Sequence, residues 1–98
     1  MSSSGDLRSR VERAIYEIVK YMVLHGDAKD TLQGIHDWWL PLSGDECSFS
    51  ELEEALRELV DWGWLAEHRL ADQTVVYGAS VAGLVNGTEY LKTKNRVQ

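Results

Sequence analysis

The 98-residue sequence predicts a mostly helical α+β domain: a three-helix bundle, a two-stranded hairpin and a closing helix. Three observations carry this expectation. Apolar residues recur at spacings of three and four over 7–22 and again over 49–60. Ser48, with Glu51 three residues later, forms a capping box that starts a helix, and Gly63 stands where that helix should stop. Two short runs, Trp64 to Leu70 and Thr74 to Tyr77, flank the turn residues Ala71-Asp72-Gln73 and read as paired strands.

Each element has its own signals. Met1 to Asp6 is polar and reads as a disordered leader, with Asp6 placed to cap the first helix. Leu7, Val11, Ile15, Ile18 and Met22 form one helical stripe, widened by Ala14 and Val19. His25-Gly26 closes this helix, since glycine accepts the left-handed conformation just past a helix end. A second helix is expected over Asp30 to Leu40, capped by Asp27 or Asp30, with Leu32, Ile35 and either Trp38 or Trp39 facing inward. Pro41 stops it, and Leu42 to Glu46 is a loop. In the third helix Phe49, Leu52, Ala55, Leu56, Leu59 and Val60 make the buried stripe, and Trp64 is placed to pack back on Leu59. After the strands, Ser80 can cap a final helix running to about Thr93. Gly83 and Gly87 weaken that helix, and Asn86-Gly87 is equally a hairpin signal. Lys94 to Gln98 reads as a flexible basic tail. One domain, 7–93, is the organisation expected.

Composition bounds the function. The chain is 44% hydrophobic, which suits a folded core, and carries 10 basic against 16 acidic residues, a formal net charge of -6. Nucleic-acid affinity rests on Lys and Arg neutralising phosphates, so the average field repels a polyanion, although a local patch can override it. The single cysteine, Cys47, excludes an intrachain disulfide and a cysteine-built zinc site, as in a reducing, cytoplasmic compartment. No apolar run approaches the length of about 20 residues that spans a bilayer, so no membrane partner is expected.

The segments LRELVDWGWL (56–65) and VVYGASVAG (75–83) carry a resemblance. The first is similar to the end of the third helix in the winged helix-turn-helix superfamily, where a leucine-rich stripe meets glycine and the first wing strand. The second resembles the second wing strand and the Tyr-x-x-Ser-x-x-Gly pattern that opens the last helix in many bacterial members. It favours a helix over a hairpin after Ser80. The resemblance covers about Leu7 to Thr93 and implies an architecture, not a subfamily. It also implies a third helix that meets the major groove and a wing that meets the DNA backbone. Carried onto this chain, the outward face is Ser50, Glu51, Glu53, Glu54, Arg57, Glu58 and Asp61, and the wing tip has no Lys or Arg. Base edges and phosphates call for donors, so such a face suits DNA poorly.

The expected function is therefore a binding module, not an enzyme. Glu51, Glu54, Glu58 and Asp61 would meet a protein with a basic or amphipathic surface, with Trp38 and Trp39 as candidate anchors. The plainer reading of the same helix is a solvated face supported by an i,i+4 pair, Glu53–Arg57. Adjacent on a helix, the two tryptophans point about 100° apart, so they cannot be equally buried. A homodimer through the first and last helices is a further expectation. The alternative is a DNA-binding transcriptional regulator using Ser50, Arg57 and Arg69, helped by Lys92 and Lys94 and by the basic cluster Arg8, Arg10 and Arg13. His25, His36 and His68 lack metal-ligand spacing, and Cys47 has no evident base, so no catalytic residue, metal or cofactor is expected.

Overall fold

The computed structural model describes residues 3–40 and 48–96, with the side chains of 8–40 and 48–94. The expected stop at Pro41, the 42–46 loop and Cys47 lie outside these residues. The chain is α+β and mostly helical: α1 (Ser3–Leu24), β1 (Lys29–Asp30), α2 (Leu32–Gly34) continuing into a π-helical segment (Ile35–Trp39), α3 (Phe49–Asp61), β2 (Leu65–Arg69), β3 (Val75–Ala79) and α4 (Val81–Arg96).

The α1 stripe is buried as its spacing requires: Val11, Ala14, Ile15, Ile18, Val19 and Met22 all lie in the core. The helix starts at Ser3, so Asp6 sits inside it and is not its cap. Gly26 does not take the expected left-handed conformation; Gly63 is the only glycine with positive φ among the described residues. The chain turns instead on a bond from the Ala28 N–H to the His25 carbonyl.

The second helical region departs furthest from expectation. Asp30 belongs to a two-residue strand, and the N-cap is Thr31, whose hydroxyl accepts from the Gly34 N–H at 3.1 Å. Asp30 instead accepts from the Thr31 N–H at 2.9 Å. A strand of two residues is too short to show alternation, and Thr31 competes directly with its aspartate neighbours as a cap. The π-helical widening turns Ile35 and Trp39 into the core and leaves Trp38 outside. Trp39 stacks on Tyr21 with ring centroids 4.7 Å apart.

In α3 both arms of the capping box are formed, Glu51 N–H to Ser48 Oγ at 3.1 Å and Ser48 N–H to Glu51 Oε1 at 3.0 Å. Leu52, Ala55, Leu56 and Leu59 are buried; Phe49, expected in that stripe, is 42% exposed. Gly63, at φ 81°, ends the helix. Its N–H reaches the Val60 carbonyl and the Trp64 N–H reaches the Leu59 carbonyl, the two bonds of a Schellman cap.

The strands form a three-stranded antiparallel sheet in the order β1-β3-β2, one strand more than the expected hairpin. Because β3 is central, Val75, Val76 and Tyr77 are all half-buried and show no simple alternation. Gln73, at φ 76°, makes the turn, and Asp72 accepts from the Thr74 N–H.

The segment after Ser80 is helical through Asn86-Gly87, so the hairpin reading is excluded. Ser80 Oγ accepts from the Gly83 N–H at 2.9 Å and donates to the Gly63 carbonyl at 2.6 Å, tying the start of α4 to the end of α3. A Cβ on Gly83 would lie 2.0 Å from the Trp64 carbonyl oxygen, and one on Gly87 would press on Val19 and Val23 of α1. Both glycines, costly in an isolated helix, let α4 pack against its neighbours.

Candidate partner interface

The carboxylates of α3 divide among three directions, because a helix turns about 100° per residue. Glu51 and Glu58 lie on the flank beside α1. Arg8 grips Glu58 with both terminal nitrogens, Nη1 to Oε2 and Nη2 to Oε1 at 3.0 Å, while its Nε reaches Glu12 at 3.1 Å. Arg10 Nη1 stands 3.5 Å from Glu51, whose other oxygen closes the capping box. The Arg8 hydrogen bonds hold the Glu58 carboxyl below its ordinary range. Glu51 and Glu58 thus bind the fold to itself and are withdrawn from the outward face.

The outward stripe is Ser50, Glu54, Arg57 and Asp61, all exposed. Toward the sheet, Glu53, Arg57, Val60, Asp61, Glu67 and Tyr77 line an open pocket of about 340 Å³. Burial, then the Glu67 and Glu53 carboxylates, push the Tyr77 hydroxyl up from its ordinary pKa, with Arg57 opposing. The expected Glu53–Arg57 pair is not closed: neither residue belongs to an ion pair among the described residues. Glu53, Asp61 and Glu67 line this pocket with Arg57, and among the described residues no other basic side chain pairs with them.

A second groove shares Tyr77. Thr31, Leu32, Gln33, Phe49, Thr74, Val75 and Tyr77 line about 530 Å³, mostly apolar. Phe49 stacks on His36 at 4.4 Å and presents its remaining surface here. This groove is not legible in the sequence. Its only local signal is that Phe49 is the first residue after the cap, where a side chain can hang over the helix end.

The tryptophan expectation resolves into one of each kind. Trp38 is 71% exposed and Trp39 only 2%, so Trp39 is a core residue and not an anchor. On the alternative set, Ser50 and Arg57 share the outward stripe, and Arg69 is exposed on β2. Lys92 pairs with Glu89 at 3.7 Å, and Lys94 sits over the Tyr90 ring at 5.4 Å. The first and last helices pack on each other at Gly87, so those facing surfaces are filled within one chain.

Among the described residues, no group of His, Cys, Asp and Glu is placed to hold a metal ion, and no helix is long and apolar enough to cross a membrane. Comparison with protein-family models finds no match, and comparison with curated proteins finds none either.

Proposed function

We propose that this chain is a small winged-helix interaction module that binds a protein partner and does no chemistry of its own. The order helix, strand, helix, helix, strand, strand, helix, with β1 added to the hairpin, supports the winged-helix reading. One observation carries the choice of partner: the apolar groove at Phe49 and the acidic pocket at Glu53, Asp61 and Glu67 meet at Tyr77. An amphipathic segment with an apolar side chain beside lysines or arginines complements both at once. Trp38 offers a further apolar contact outside these grooves.

Two arginines of the basic cluster that would help a DNA reader are engaged within the chain. Arg8 and Arg10 face α3 carboxylates within the chain. DNA regulation remains the second reading because Ser50 and Arg57 do share one outward stripe.

The test is an amide chemical-shift titration with a lysine-rich amphipathic peptide. Shifts concentrated at Phe49, Glu53, Asp61, Glu67 and Tyr77, and lost in the Glu53→Lys/Asp61→Lys variant, are expected. Absence of saturable shifts there, or identical binding by that variant, would contradict the reading.

A further inference from the structure

The edge of the sheet carries information that the α3 face does not. Among the described residues β2 is an outer strand, paired only with β3. The Ser80 N–H bonds to the Trp64 carbonyl and the Leu70 N–H to the Thr74 carbonyl, in the same register that sets Ala66 against Gly78 and His68 against Val76. In an antiparallel ladder hydrogen-bonded and non-bonded pairs alternate. The even-numbered residues of β2 therefore spend their backbone groups on β3. Leu65, Glu67 and Arg69 aim theirs away from it, along the open edge.

We propose that β2 pairs with β2 of a second copy of this chain, antiparallel and centred on His68. The ladder geometry allows odd-numbered residues to face only odd-numbered ones. Centring on Glu67 sets carboxylate against carboxylate. Centring on Ala66 sets Glu67 against Leu65. Centring on His68 sets Glu67 of each copy across from Arg69 of the other, twice by symmetry, with both backbone bonds exchanged at each pair. Opposite charges directly across a strand pair are favourable and like charges unfavourable. The same register brings Leu70, 48% exposed in the single chain, opposite Ala66 on the other face of the sheet.

Charges on an edge strand ordinarily block pairing with other strands. Here the order Glu67-His68-Arg69 is self-complementary, so it blocks foreign edges and the slipped registers while admitting this one. Glu67 and Arg69 form no ion pair within the described residues, and both are exposed, so neither must abandon an internal partner ion to pair. Glu67 also lines the acidic pocket, so the two proposals share that residue; sedimentation of the chain without peptide reads the pairing alone, and Arg69→Glu disturbs it from outside the pocket.

Sedimentation equilibrium from about 10 µM to about 1 mM tests it, a range suited to a short-strand interface. The expected result is a concentration-dependent dimer. Glu67→Arg and Arg69→Glu each set like charges across both pairs and weaken association by about tenfold or more. The double reversal Glu67→Arg/Arg69→Glu restores it. Amide exchange at Glu67 and Arg69, measured on the same samples, slows as dimer accumulates. A monomer throughout that range, singles that associate as well as the parent, or a folded double variant that fails to recover would each overturn the proposal.

Discussion

Gly83 is the residue whose side chain, or lack of one, decides the most. It lets the first turn of α4 lie against the Trp64 carbonyl, where any Cβ would be 2.0 Å from the oxygen. Backbone cannot step aside as a flexible side chain can. Gly83→Ala should therefore destabilise by about 1–3 kcal/mol despite alanine's better helix propensity. Gly87→Ala should cost less, because its Cβ would meet the movable methyls of Val23 and Val19 at 3.0 and 3.1 Å. Chemical denaturation of both variants checks the ranking, and an equal or reversed order would count against it. The two neighbouring tryptophans give a second contrast. Trp39→Ala removes a ring stacked on Tyr21 inside the core and should cost about 3–5 kcal/mol. Trp38→Ala should leave stability within about 0.5 kcal/mol of the parent, since exposed sites without special contacts usually do. Comparable losses in the two variants would contradict the assignment of core and surface.

At the scale of elements, α3 is the most legible part of the chain because its signals are local. Ser48 and Glu51 meet within one turn, and Gly63 comes one residue after the C-cap, so each can be read without knowing the tertiary structure. The same holds for the Ser80 cap. Features that stay hidden depend on distant partners. Lys29–Asp30 becomes a strand only because β3 lies beside it. Glu51 and Glu58 read as surface charges because their arginines come from α1, some 41 and 50 positions away in sequence. The candidate site is therefore half legible: Glu54, Asp61 and Trp38 are outward, while the groove at Phe49 and the acidic contribution of Glu67 require the fold. The α1–α3 clamp has a pH signature. Arg8 holds the folded-state Glu58 carboxyl below its unfolded value. Its contribution is then present above the ordinary glutamate range and is lost as pH falls through the folded value. Glu58→Gln should lower the melting temperature modestly at neutral pH, with the gap to the parent closing as the medium becomes acid enough to protonate Glu58. A gap that is unchanged from neutral to acid would show that the clamp does not contribute through charge.

For the whole molecule, the distribution of charge matters more than its sum. Arg8 and Arg10 of α1 are turned onto α3, and Lys92 and Lys94 of α4 onto Glu89 and Tyr90. Three carboxylates, Glu53, Asp61 and Glu67, share a pocket with Arg57 on the face that the proposed winged-helix reading would turn to a DNA groove. That arrangement should repel a polyanion and attract a basic protein surface. Fluorescence anisotropy with a random-sequence DNA duplex, at low and at moderate salt, tests this most directly. No saturable binding at moderate salt is expected, and at low salt at most weak binding that added salt abolishes. Submicromolar binding that persists at moderate salt would contradict it.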